Sequence, residues 1–203
     1  MAFATIGAAE VTAAHEGHVA AFELMEDTID VIGLLPAIRS AEWAWPEPRL
    51  RYANAVLAEA LIAAGHALGR SDAVDSGLVM LDWLVNLQSQ EGHLSVVGTE
   101  GRGRGRGRFD RQFDQQPIEP AAIADACHRA WKVTGDERWI AGVQLAHGWF
   151  MGRNDVGLVM FDPESGGGFD GLHENRVNLN QGAESTLAYV STMQRFASVC
   201  PTA

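Results

Sequence analysis

Three times along this chain, a long loop crowded with aromatic, acidic and amide side chains feeds a helix of small apolar residues. The clearest copy runs from Phe109 to Thr134 as FDRQFDQQPIEPAAIADACHRAWKVT. Pro117 opens its helix, because proline suits the first helical turn and little beyond it. A second copy, FDGLHENRVNLNQGAESTLAYVSTMQ, runs from Phe169 to Gln194, and a looser one, WAWPEPRLRYANAVLAEALIAAG, from Trp43 to Gly65. Such a chain presents its loop chemistry wherever those helices begin.

Periodicity is helical almost throughout. It predicts helices over 3–15, 18–34, about 49–67, 72–89, 117–133, 137–152 and 182–198, and no strand beyond a short hairpin near His93–Val97. Tight turns fall at Gly17, Gly69–Ser71 and Gly135–Asp136, where glycine ends a helix and Asp136 can cap the next. The other three connections are long and carry the prolines. If the helices alternate up and down, all three long loops lie on one face. The expected fold class is all-α, one domain over 1–203, as an (α/α) toroid-like array of helical hairpins with Ala-rich helices inside. An irregular helical array is the alternative. Seven helices make only about half a toroid, so a homodimer or a separate partner chain is expected to cover the apolar flanks of the first and last helices.

The chain has 203 residues, 47% of them hydrophobic, which is enough for a sizeable core. Glu59 and His66 interrupt the longest apolar run, so no membrane span is expected. The opening MAFATIGAAEVTAAHEGH lacks the basic start and apolar core of a signal peptide. Cys127 and Cys200 make neither a disulfide framework nor a zinc site, and a cytoplasmic setting follows. No cofactor or metal is expected, since His15 and His18 straddle a helix end and no phosphate loop is present. A net charge of −11 makes nucleic acid an unlikely partner. Against that stands the GRGRGRGR run from Gly101 to Arg108, which holds four of the 15 basic residues. Its glycines and like charges predict a mobile, dispensable loop tip, with an anion clamp as the alternative.

Several strings carry a resemblance. FDQQPIE (113–119), TGDERW (134–139), GRND (152–155), DPESGGGFDGL (162–172) and NQGAESTLAYV (180–190) resemble the helical C-terminal region of bacterial glycosyltransferases. So do FATIGAAEV (3–11) and WPEPRLRYANA (45–55), and the likeness covers nearly the whole chain. It implies an (α/α) toroid similar in shape to six-hairpin glycosidases, with a glycan or sugar as ligand. This chain shows no Gly-rich strand–helix unit for a nucleotide sugar, so transfer from such a donor is not implied.

Glu119 and Glu184 occupy equivalent places, each three residues after a glutamine, Gln116 and Gln181. One reading is a capping box, in which the glutamate turns back on its own helix end. The other is a site carboxylate whose pKa the helix dipole lowers, suited to a base or a sugar-hydroxyl acceptor. A glycosidase needs a second, more protonated carboxyl, for which Asp114 and Asp170 are the loop candidates, with Asx-type turns as their structural alternative. The catalytic candidates are therefore Asp114, Glu119, Asp170 and Glu184. For sugar contact the loops offer the aromatic faces of Trp43, Trp45, Phe109, Phe113 and Phe169. Glu47, Gln115, Gln116, His173, Asn180 and Gln181 add hydrogen-bonding groups. Trp83, Trp139 and Trp149 lie on amphipathic helices and are assigned to the core.

Three functions compete. They are a module that binds a glycan on the long-loop face, a glycosidase-type enzyme with paired carboxylates, and a non-catalytic structural or interaction module. Convergence of 113–119 and 180–184 on one concavity favours the first two. Glutamates bonded only to their own helix ends favour the third.

Overall fold

The computed structural model describes residues 1–15, 17–34, 42–105 and 110–200; Phe109 and the end of the Gly-Arg run, 106–108, lie outside the described residues. The chain is mostly helical: α1 (Ala2–Ala14), α2 (Val19–Ile32), α3 (Ala55–Leu68), α4 (Ser71–Gln88), α5 (Ile118–Thr134), α6 (Arg138–Phe150) and α7 (Ala183–Val199). Periodicity places each to within a residue or two, except the start of α3. Residues 49–54 are not helical, because Arg49–Leu50 forms a strand, β1, and Ala53 turns into the left-handed region at φ 47°. Gly69 and Gly135 end α3 and α5 at φ 68° and 69°. Asp136 Oδ1 accepts from the Arg138 amide at 3.0 Å and so caps α6.

The odd-numbered helices lie side by side in chain order, α1 on α3, α3 on α5 and α5 on α7. The even ones pack behind, α2 against α1 and α3, α4 against α3 and α5, α6 against α5 and α7. A helix enclosed on both sides must be apolar all round. α3 meets that demand with Ala55, Ala58, Ala60, Leu61, Ile62, Ala63 and Ala64 all buried. Close approach of α4 to α3 depends on Gly77: a Cβ there would stand 2.7 Å from Ile62 Cγ1 and 2.8 Å from the Ala58 carbonyl oxygen. Among the described residues no helix is long and apolar enough to cross a membrane.

Short ladders stitch the long loops together. β1 pairs antiparallel with β4 (Arg102–Gly103). β2 (Ser89–Gln90) pairs with β3 (His93–Leu94), so the expected hairpin exists but begins before His93. β5 (Gly171–Leu172) pairs with β6 (Val177–Asn178), and Gln115 bridges both Gly98 and Leu172. Each long loop is thereby tied to the next. The first part of the Gly-Arg run is tied down as well, unlike the mobile tip expected of it. Leu50 opposes Arg102 in the ladder, and Arg102 is 4% exposed.

Gly77→Ala is expected to lower stability by roughly 1–3 kcal/mol, because the added methyl overpacks the α3–α4 contact. At Gly7 an added methyl would meet nothing within 4 Å, so Gly7→Ala is the control and should be neutral or slightly stabilising. Urea unfolding of both variants checks this; equal midpoints would mean that α3 and α4 part without cost.

Candidate functional site

α3, α5 and α7 all start at the stitched loops, and their first turns meet there. Glu119, 3% exposed, sends its carboxyl away from its own helix. Oε1 accepts from the Ala53 amide at 2.5 Å, and Oε2 from the Asn54 amide at 3.3 Å and from Asn54 Nδ2 at 2.9 Å. The start of a helix leaves amides without intrahelical partners, so a residue of α5 caps α3. The capping-box reading of Glu119 is therefore replaced by a cap across two helices. Asn54 Oδ1 accepts from the Arg51 amide at 2.8 Å and closes the turn. The left-handed Ala53 costs about 1–2 kcal/mol for a residue with a Cβ, and its bond to Glu119 helps offset that cost. The dipole argument predicts a lowered pKa for Glu119. Burial instead raises it to about 7, against the opposing hydrogen bonds from Asn54 and Ala53.

Tyr52, just before this turn, donates its hydroxyl to Glu184 Oε2 at 2.6 Å and so reaches the first turn of α7. Its phenol is pushed up to about 12, first by that hydrogen bond, then by burial and by the charges of Glu184 and Glu119. Successive residues 52–54 thus engage both glutamates, and the 113–119 and 180–184 segments lie at the same end of the helices.

Asp170 accepts from the Gly182 amide at 2.7 Å and from Asn180 Nδ2, which makes it the cap of α7. Burial works to raise its pKa, but hydrogen bonds from Ser185, Asn180 and Gly182 outweigh burial and hold it below the usual carboxylate range. Gln181 is tied into the preceding turn, donating to Asp162 at 3.1 Å and accepting from Ser165 at 2.7 Å. Asp114 Oδ1 stands 3.6 Å from His173 Nδ1, too far for a hydrogen bond, and that oxygen is buried with no hydrogen-bond partner among the described residues.

Gln115 is fully buried and committed internally. Its Nε2 donates to the Gln112 carbonyl at 2.9 Å and to Asp155 at 2.6 Å, while Oε1 accepts from Trp149 Nε1 at 3.0 Å. Asp155 also accepts from Ser95 Oγ at 2.6 Å and stands 2.9 Å from His93 Nε2 and 3.4 Å from Arg111 Nε. This is a hub that holds loops, with the Asp155 carboxylate itself shut off from solvent. Trp43 and Trp45 are 5% and 1% exposed. They pack on Trp83, edge-on at 5.1 Å and stacked at 6.0 Å, and Trp43 Nε1 donates to the Glu47 carbonyl. Neither offers a face to a sugar, because the chain around them folds inward to pair β1 with β4. Trp139 and Trp149 are buried, in agreement with the core assignment. Phe113, Gln116, Phe169 and His173 are half-buried, and the Glu47 side chain is exposed.

A cavity of about 850 Å3 runs along α1, α3, α5 and α7. Glu184, Val56 and Ile118 line it where the helices begin; His66, Lys132 and Arg195 line it toward their far ends. Two ion-pair clusters form its walls. Arg129 joins Glu59 and Glu10, each at 2.9 Å, and so links α5 to α3 and α1. Arg195 Nε donates to Asp125 at 2.6 Å, and Ser191 donates to the same carboxylate at 3.2 Å. Burial raises the pKa of Glu59 in spite of Arg129. Burial, followed by the charge of Arg195, lowers that of His128. Sequence reasoning does not single out these residues. The available signal is an acid, Glu59, inside an alanine-rich helix that is otherwise apolar through its first three turns.

Among the described residues, no group of three or more His, Cys, Asp or Glu is placed to hold a metal ion. No protein-family model and no curated protein matches the chain.

Glu119 gives the junction a pH signature. Its pKa rises from 4.5 to about 7 on folding, so the folded chain binds the proton more tightly than the unfolded one. The resulting stability is complete below about 4.5 and is lost as pH rises through about 7. Urea unfolding is expected to show a loss on the order of 1–3 kcal/mol between about pH 5 and 8. Glu119→Gln should remove most of that difference; a variant with the full difference would assign it to another group.

Proposed function

We propose that this chain is a carbohydrate-binding module built as an arc of an (α/α) toroid. The odd-numbered helices form its inner layer and the even-numbered ones its outer layer. A glycan enters the cavity between the inner helices from the end where the long loops meet. The observation that carries this reading is the cavity itself. Its size suits a small organic ligand, its floor is aliphatic enough for the CH faces of a sugar, and its walls hold carboxylates and guanidinium groups that bond hydroxyls. The resemblance to the helical region of bacterial glycosyltransferases supports the same ligand class. Binding is favoured over bond cleavage, because Glu119 and Asp170 are already engaged as helix caps. Two free cysteines suit a reducing compartment such as the cytoplasm.

Calorimetric titration with an oligosaccharide panel tests the reading. Glu184→Gln and Tyr52→Phe are expected to weaken binding about tenfold, or ~1.4 kcal/mol, with little change in melting temperature. A folded chain that binds no saccharide overturns it.

The first and last inner helices expose Phe3 and Val11 on α1 and Leu187 and Val190 on α7, with Phe3 and Leu187 at the rim of the cavity. A second copy placed across them closes the arc by two-fold symmetry. Light scattering after size exclusion should give twice the 21.9 kDa chain mass. A stable monomer at micromolar concentration would refute closure by a second copy.

A further inference from the structure

The charged residues that line the cavity already have partners inside the protein. Arg129 uses Nε on Glu59 and Nη2 on Glu10. Arg195 is held by Asp125. At the two ends, Glu184 accepts from Tyr52, and Lys132 Nζ lies 5.9 Å from the centre of the Trp131 ring. We infer, on the basis of the carbohydrate reading above, that the cavity selects a neutral saccharide through its hydroxyls and discriminates against uronic-acid and phosphorylated sugars.

The argument turns on what each ligand must displace. A carboxylate has about four acceptor positions and a guanidinium five donors. The wall clusters occupy only part of that capacity, so a neutral diol can add to an Arg–carboxylate pair without breaking it. An anion that takes up the same free donors comes to stand beside Glu10, Glu59 or Asp125 on that guanidinium, and like charges repel it. Displacing Glu59, 5% exposed, would strand a buried charge beside the ligand. Lining acids also outnumber lining Arg and Lys four to three, and the whole chain carries −11, so the local and the global field both oppose an anion.

The test is calorimetric titration of the full chain with matched sets: neutral glucose, galactose and mannose oligosaccharides, the corresponding uronic acids, and the sugar 1-phosphates. Neutral ligands are expected to bind at least about tenfold more tightly than their anionic counterparts. Glu10→Gln provides a second arm. Its side chain is 65% exposed, so the fold should be retained, and the change frees Arg129 Nη2. Affinity for the anionic members should then rise about tenfold, while the neutral ones change by less than about threefold. Anions that bind the native chain as well as neutral sugars do, or a Glu10→Gln effect equal on both classes, overturn the inference and leave the carbohydrate reading standing. Failure of every saccharide to bind overturns the carbohydrate reading, and the inference falls with it.

Discussion

The rest of the architecture depends on a buried carboxyl that is held by amide donors rather than by a cation. Glu119 takes up the Ala53 and Asn54 amides, which would otherwise be unsatisfied donors inside the protein. Each such donor left bare costs about 1–3 kcal/mol. Meeting that demand fixes where α5 starts relative to α3. It also holds the left-handed turn at Ala53, and that turn aims Tyr52 at Glu184 on the next inner helix. Three helix starts are registered by one side chain and its two neighbours. The end of the cavity where those helices begin takes its shape from that registration.

A second constraint acts through the loops. Gln115 satisfies both ends of its amide and bridges backbone on either side of it, so it links 98, 112, 155 and 172 in one step. A buried amide satisfied at both ends, as that of Gln115 is, favours a single arrangement, because every alternative leaves a polar group bare. Long loops held this way behave as part of the scaffold. The same inward folding withdraws Trp43 and Trp45 from the surface and brings Arg102 out of solvent. Loop membership is thus a poor guide to exposure in this chain.

That contrast shows what can be read from the sequence. Helix positions are legible because amphipathic spacing is local and glycine at 69 and 135 marks each stop without ambiguity. That 113–119 and 180–184 lie at the same end of the helices is legible because the two segments repeat one plan, but the expected shared concavity is not formed by them: only Ile118 and Glu184 of these residues line the cavity. The start of α3 is not, since a two-residue ladder with a partner some fifty positions away leaves no periodic trace. Nor is the direction of the Glu119 pKa. A first-turn position suggests the dipole, but burial is a tertiary property and proves the larger influence. The ion pairs of Arg129 and Arg195 reach across helices, and their partners have no fixed spacing in the chain.

The acids of this protein differ in capacity more than in type. Glu119 and Asp170 receive several N–H donors each, and a carboxylate filled in this way has little left for a ligand. Asp155 is saturated by neighbours on every side and is sealed from solvent. Glu10 and Asp125 meet guanidinium groups on a cavity wall, where Arg129 for the first and Arg195 with Ser191 for the second fill only part of the carboxylate's acceptor capacity. By residue type alone Glu119 and Asp170 qualify as catalytic acids, yet the donors around them commit them to holding the fold. Chemical availability is decided by what lies across the helix interface. On that criterion the walls of the cavity, rather than the caps at its end, are where a bound molecule would find unspent hydrogen-bonding capacity.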